Sequence, residues 1–219
     1  MNEVQSPQIS HICFDLDGVL IDSIDVMRLA WQAATSKMKI EIPFFKYQKG
    51  LGQPFNEVLK MLSIPESMWS DLSKEYERVS EINCDLIQLF PRTIEVLTML
   101  KSQGFSVSIV TSKPRARAEF IVDKLLSNLG DCLVAGDDSG LRGKPNPDPL
   151  LFAAISVGAE PATSLYVGDM TVDCQAAQRA GFRYVHASWG YGAEIEGDRD
   201  SITTLGALGS WLGGLDFEE

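Results

Sequence analysis

Phe14-Asp15-Leu16-Asp17-Gly18-Val19-Leu20-Ile21-Asp22 ends an apolar run, Ile9 to Phe14, on two carboxylates. The β-branched and aromatic residues of that run predict a buried strand that delivers its C-terminus to a site. In an extended chain positions i and i+2 share a face, so Asp15 and Asp17 are expected to point the same way. Leu16 between them would anchor in the core, and Gly18 would let the chain turn away. Two like charges so placed repel, and a cation or a proton between them is expected. By itself the stretch also reads as a surface turn, since Asp-Gly is a common turn pair. A calcium loop of the EF-hand type is disfavoured, because Val19, Leu20 and Ile21 follow Gly18 where further oxygen ligands would be needed.

Three other stretches carry polar groups where apolar runs stop. Thr111-Ser112-Lys113 follows Phe105 to Val110, so a hydroxyl, backbone N–H groups and a helix N-terminus converge there. That is either an anion site or an ordinary helix cap. Lys144, in Gly143-Lys144-Pro145-Asn146-Pro147-Asp148, lacks the upstream glycine spacing of a phosphate-binding P-loop and alone reads as a loop lysine. Val167-Gly168-Asp169-Met170-Thr171-Val172-Asp173 ends a strand on a carboxylate, with a second four residues on. A helix cap explains either aspartate but not both equally well.

The elements that must position these groups follow from hydrophobic periodicity. Residues 22–88 read as all-helical: Ile24, Met27, Trp31 and Ala34 recur at spacings of three and four behind Asp22 or Ser23 as N-cap. Further helical patterns run from Pro54 to Leu62 and from Pro65 to Ile82. Just before Pro54 lies a glycine-containing loop, Lys49-Gly50-Leu51-Gly52-Gln53, which is no dinucleotide fingerprint. From Phe90 the pattern alternates. Helices are predicted over Thr93–Gln103, from Pro114 to Leu129, over Leu150–Val157 and over Val172–Ala180. Strands are predicted over Phe105–Val110, Cys132–Ala135, Ser164–Val167 and Arg183–Ala187, and one weak helix lies within Asp200–Leu215. The predicted fold is α/β, a doubly wound parallel sheet covered on both faces. Residues 1–20 and 89–219 would form this core and residues 21–88 an inserted helical subdomain. Ligands of such sheets bind beyond the C-terminal strand ends, where all four polar stretches fall.

A 219-residue chain with 45% hydrophobic residues can bury a sizeable core. Its net charge of −11 repels polyanions and argues against nucleic acid or an anionic membrane surface as partner, so a phosphate ligand needs a local positive site. Cys13, Cys84, Cys132 and Cys174 form no Cys-x-x-Cys pair, which suggests neither a zinc site nor a disulfide framework. Met1 to Ser10 has no apolar core and reads as a loose tail rather than a signal peptide, and no later segment reaches transmembrane length. A soluble, reduced, cytoplasmic protein is expected.

Taken together and in chain order, Asp15-x-Asp17-Gly18, Thr111, Lys144 and Gly168-Asp169-x-x-x-Asp173 resemble the four-motif signature of the haloacid-dehalogenase-like phosphohydrolases. The insertion resembles the small helical cap of the subfamily that holds phosphoglycolate phosphatase and β-phosphoglucomutase, and Trp189-Gly190-Tyr191-Gly192 is similar to the phosphoglycolate phosphatase and pyrophosphatase branches. The resemblance implies a Rossmann-like core and a Mg²⁺-dependent phosphatase acting on a small phosphorylated metabolite, phosphoglycolate or a sugar phosphate. Asp15 would attack phosphorus to give an aspartyl-phosphate, and Asp17 would protonate the leaving oxygen. Asp15, Asp169 and the backbone carbonyl of Asp17 would hold Mg²⁺, with Asp173 orienting metal-bound water or Lys144. Thr111 and Lys144 would bind phosphoryl oxygens, helped by backbone N–H groups of Gly18 and Ser112. The dehalogenase branch lacks a carboxylate at the position of Asp17, so Asp17 favours phosphoryl chemistry. Lys49, Gly50 and Gln53 of the cap loop would set specificity, in a monomer or small homo-oligomer. A phosphomutase of the β-phosphoglucomutase type is the alternative, although its cap loop carries an Arg where Lys49 is the nearest cation here. An idle binding protein on the same fold is a more distant one.

Overall fold

The computed structural model describes residues 8–192 and 200–213. The strand β1 (His11–Phe14) opens the chain and is followed by a two-residue strand, β2 (Ile21–Asp22). The helices α1 (Ile24–Met38), α2 (Phe44–Gln48), α3 (Phe55–Met61) and α4 (Trp69–Ile82) come next, closed by β3 (Gln88–Leu89). Then come α5 (Thr93–Ser102), β4 (Ser106–Val110), α6 (Arg115–Leu126), β5 (Cys132–Val134), α7 (Asp148–Ser156), β6 (Ser164–Gly168), α8 (Thr171–Ala180), β7 (Arg183–Ala187), β8 (Ser201–Ile202) and α9 (Leu208–Trp211).

Six strands form one parallel sheet in the order β5-β4-β1-β6-β7-β8. β1 is central, pairing His11 with Ser106 of β4 on one side and Ser164 of β6 on the other. Its side chains alternate between two apolar layers, as strand geometry requires. Ile12 and Phe14 join Val96, Leu97, Ile121 and Leu126 of α5 and α6, whereas Cys13 joins Leu150, Ala153, Ala176 and Ala177 of α7 and α8. Coverage of both faces explains why the central strands are near-continuous apolar runs. Helices α1 to α4 surround a third cluster, with Trp31, Leu59 and Leu72 fully buried. No helix of the described residues is long and apolar enough to cross a membrane.

The doubly wound sheet and its helix alternation agree with expectation, with local departures. Residues 21–88 are not helical throughout: β2 and β3 pair antiparallel, Ile21 with Leu89, at the base of the helical segment. Two-residue strands are too short to show a period of two. α2 was not expected either, because its five residues span little more than one turn. α6 stops at Leu126, where Ser127 turns left-handed at φ 49°, so Leu129 lies outside it. The strand expected from Ile9 begins at His11, and α9 covers four residues of the weak C-terminal helix. Most of the expected N-terminal tail, residues 1–7, and Leu215 lie outside the described residues.

One buried polar cluster ties the three central strands together. His11 is fully buried, with Nδ1 3.0 Å from Ser164 Oγ of β6 and Nε2 2.8 Å from Ser108 Oγ of β4. Burial pushes its pKa down to about 4 against a weaker opposing pull from Asp131. The unfolded chain, with histidine near 6.5, therefore binds the proton first as pH falls, so this contribution to stability is complete above pH 6.5 and is lost towards pH 4. Denaturant unfolding of wild type and His11→Gln should therefore differ by an amount that shrinks between pH 7 and pH 4, by on the order of 3 kcal/mol at most. A pH-independent difference would contradict a neutral buried His11.

Candidate active site

The site forms where the central strands stop. Asp15 follows β1 directly, its N–H donating to Val167 O of β6 at 2.9 Å, and Thr111 follows β4 with its N–H on Val134 O of β5 at 2.9 Å. Gly168 ends β6 one residue before Asp169. Three of the four polar stretches are thus set by parallel neighbours in one sheet, and Lys144 arrives from the loop between β5 and α7.

Asp15 and Asp17 line the same cavity, yet among the described residues no one side-chain cation bridges their carboxylates. β1 ends at Phe14, Leu16 anchors in the core between the two aspartates, and Gly18 takes a φ of +84° as the chain turns, which is the alternation the spacing predicts. Each carboxylate meets its own lysine. Lys144 Nζ lies 2.9 Å from Asp15 Oδ1, 2.7 Å from Asp173 Oδ1 and 3.0 Å from the Tyr166 hydroxyl, which it also reaches as a donor. Asp17 Oδ1 accepts from Lys113 Nζ at 2.8 Å and from the Ser23 hydroxyl. Ser23 therefore stands at the N-cap of α1 with its hydroxyl committed to the site, and Asp22 Oδ1 accepts from the Ile24 N–H instead.

Asp169 is fully buried. Its Oδ2 accepts from the Tyr191 N–H at 2.6 Å, while Oδ1 has no hydrogen-bond partner. The run Trp189-Gly190-Tyr191-Gly192 is wrapped around this residue. A Cβ on Gly190 would stand 2.2 Å from the Asp169 Cβ, and one on Gly192 would stand 1.9 Å from the Asp169 carbonyl oxygen. Only glycine allows so close an approach.

Carboxylate oxygens of Asp15, Asp169 and Asp173 lie within 4.8 Å of one another. Three buried carboxylates around one ammonium leave two negative charges without a partner when all are ionised. Burial pushes Asp15 up to about 7, with Asp173 and Asp17 adding to the rise and Lys144 opposing it. Asp169 is raised well above the carboxylate range, by burial first and then by Asp173 and Asp15. Burial disfavours the charge of Lys144, but Asp15 and Asp173 more than offset it and keep the side chain protonated. An all-oxygen donor set with an orphaned oxygen and excess negative charge suits a hard divalent cation. Asp17 is the sequence-predicted metal residue whose carboxylate stands outside this group, drawn off by Lys113, and Asp173 stands inside it.

Above the cluster is a cavity of about 560 Å³. Asp15, Asp17, Thr111, Ser112 and Lys113 line its sheet side, and residues of α1, α3, α4 and the 50–54 loop line the other. Lys144 and Asp169 lie beneath it rather than in its wall. Thr111 Oγ1 accepts from the Lys113 N–H at 3.2 Å, and Ser112 Oγ donates to Gly52 O at 2.6 Å, fastening the 50–54 loop to the sheet. Gly50 and Gln53 line the cavity, but Lys49 is exposed beyond the end of α2 and does not. Lys113, Tyr166 and Tyr191 carry contacts that sequence reasoning did not assign. Lys113 stood beside a recognised hydroxyl pair, whereas Tyr166 lies inside an apolar strand and reads as core.

The chain matches the model of the haloacid dehalogenase-like hydrolases over residues 12–187. It is 33% identical over 185 residues to a phosphoglycolate phosphatase from Aquifex aeolicus, covering 82% of this chain and 85% of that one. It is 29% identical over 201 residues to a phosphoglycolate phosphatase from Nitrosococcus oceani, covering 84% and 86%. A solved hydrolase from Pseudomonas syringae superposes with a TM-score of 0.77 at 29% identity, covering 85% of this chain and 87% of that one.

The excess negative charge makes a stability prediction. Asp169→Asn should raise the melting temperature measured in EDTA by about 2–4 °C, corresponding to roughly 1 kcal/mol. The same variant should abolish the further rise that Mg²⁺ produces in wild type. Equal Mg²⁺ stabilisation of both proteins would show that Asp169 does not hold the ion.

Proposed function

The chain belongs to the haloacid dehalogenase-like hydrolases, and we propose that it works there as a Mg²⁺-dependent phosphatase of a small phosphorylated metabolite. The observation that carries this reading is the cluster of Asp15, Asp169 and Asp173 at the floor of a cavity, with Lys144 as its one ammonium and Asp169 Oδ1 unpartnered. Phosphate-ester hydrolysis needs neutralised phosphoryl oxygens and a nucleophile aligned with the leaving group. Asp15 and Asp169, with the backbone carbonyl of Asp17, are the residues that would hold Mg²⁺. When bound, the ion supplies positive charge against the transferring phosphoryl group.

In this reading an Asp15 carboxylate oxygen forms a bond to phosphorus as the ester P–O bond breaks, and Asp17 gives its proton to the departing alkoxide. Asp17 then takes a proton from water as that water attacks the aspartyl-phosphate, releasing inorganic phosphate and regenerating Asp15. Lys144 keeps Asp15 oriented from below, and Asp173 and Tyr166 hold Lys144 in turn. Thr111, with backbone N–H groups of Gly18 and Ser112, would receive phosphoryl oxygens, and Lys113 adds a cation beside Asp17. Residues 21–88 would act as the cap over a core of residues 1–20 and 89–219, excluding water from the cavity. Four free cysteines are in keeping with a cytoplasmic enzyme. A mutase would need a cation on the cap loop for a second phosphate, and exposed Lys49 stands outside the cavity, so hydrolysis is favoured.

Phosphate release from a panel of metabolite esters, phosphoglycolate included, should require Mg²⁺ and vanish in EDTA. Asp15→Asn should lower kcat by on the order of 10³-fold or more, and Asp17→Asn by roughly 10²–10⁴-fold. Turnover that survives in Asp15→Asn would rule out the covalent route.

A further inference from the structure

The cavity above the carboxylates is poorly matched to a small anionic leaving group. Its 560 Å³ lies in the range that encloses drug-sized ligands, much larger than an ester of a two-carbon acid requires. The wall opposite the carboxylates is apolar and aromatic, with Val26, Met27, Leu51, Phe55, Val58 and Tyr76 facing the space. Phe55 and Tyr76 pack with ring centroids 4.9 Å apart, and Tyr76 is joined through its hydroxyl to that of Tyr47, 3.0 Å away, which in turn stacks on Trp31. The Phe55 and Tyr76 rings are inclined at 45° to each other, so together with Tyr47 they make a preformed, angled apolar wall.

The charge pattern points the same way. The only cationic side chains in the described lining are Lys113 and Arg117. Lys113 is engaged by Asp17 at the phosphoryl end, and Arg117 Nη2 donates to the Ser80 carbonyl oxygen at 2.6 Å. Five carboxylates, Asp15, Asp17, Glu77, Glu81 and Asp137, line the space against these two cations, so a carboxylate held there away from Arg117 would meet repulsion.

Resting on the phosphatase reading, we propose that the leaving group is an uncharged or cationic alcohol with an apolar body large enough to reach Phe55 and Tyr76. Phosphoglycolate, the substrate named for several relatives, would then be a poor substrate of this enzyme. Phe55 and Tyr76 are specificity-determining residues in this account, and Glu77 is a determinant of charge selection.

The test compares kcat/KM for phenethyl phosphate, glycerol phosphate and phosphoglycolate with Mg²⁺. All three release unactivated alkyl alcohols, so the comparison reports the cavity rather than leaving-group chemistry. Binding of the non-hydrolysable analogues phenylpropyl phosphonate and phosphonopropionate is measured alongside by calorimetry. We expect phenethyl phosphate to exceed phosphoglycolate by at least about tenfold, and phenylpropyl phosphonate to bind the tighter by a similar factor. Phe55→Ala should raise KM for phenethyl phosphate several-fold and leave that for phosphoglycolate nearly unchanged. Glu77→Lys, an exposed change on α4 that should not disturb folding, should improve phosphoglycolate several-fold. A preference of wild type for phosphoglycolate in both turnover and analogue binding overturns the apolar assignment while leaving the phosphatase intact. Tight aromatic phosphonate binding without turnover of any ester supports the cavity assignment and overturns the phosphatase.

Discussion

The buried ammonium of Lys144 is the interaction on which the rest of this structure depends. A lysine with 2% of its surface exposed is tolerable only if its charge is matched and its donors are used, and Asp15, Asp173 and Tyr166 meet both conditions. The three partners arrive from the end of β1, the first turn of α8 and the interior of β6. Their convergence requires β1 and β6 to be adjacent in the sheet and the loop after β5 to reach across them. Asp173 serves a second purpose, since its Oδ2 accepts the Met170 N–H at the start of α8. Helix capping and lysine binding are therefore not competing explanations of this aspartate; one carboxylate does both.

The second consequence is electrostatic. Lys144 compensates part of the charge that Asp15, Asp169 and Asp173 bring together, and the remainder is stored as raised carboxylate pKa values at the cavity floor. Such a cluster is costly in isolation and becomes favourable once a divalent cation replaces the missing positive charge. Around Asp169 the backbone is packed too closely for any side chain but hydrogen at Gly190 and Gly192. The Asp169 carboxylate is thereby positioned by backbone, which does not change rotamer. Asp17, held by Lys113 and Ser23, lies outside this charge cluster and is available for a different role from Asp15, although only one residue separates them.

The helical segment is fastened to the core at several points, among them Arg117 Nη2 donating to Ser80 O and Lys124 paired with Asp85. Ser112 Oγ holds Gly52 O, Tyr191 holds the start of α1 through the Ser23 N–H at 2.7 Å, and β2 pairs with β3 at the base. Its own apolar cluster around Trp31 is separate from the two that cover the sheet. The cavity between helices and sheet thus combines a charged floor built on strand ends with an apolar roof built on helices.

Local periodicity determined the doubly wound sheet, the order of its helices, and the placement of aspartates, threonine and lysine at strand ends or the loop beyond, because those properties depend on residues within a turn or a few strand positions of one another. What the tertiary structure decided is which charges meet. Lys144 and Asp15 are 129 residues apart, and nothing in the spacing of Asp15 and Asp17 reveals that the first pairs with Lys144 and the second with Lys113. The i and i+2 rule put both residues on one cavity, but it says nothing of which cation each one meets. Tyr166 was hidden for a related reason: inside an apolar strand its ring is core, and its hydroxyl becomes functional only when β6 lies beside β1. Lys49, prominent in a glycine loop, stands exposed after α2 and outside the cavity that Gly50 and Gln53 line. Partner choice across a sheet depends on strand order, and strand order is a property of the whole chain's packing rather than of any one stretch.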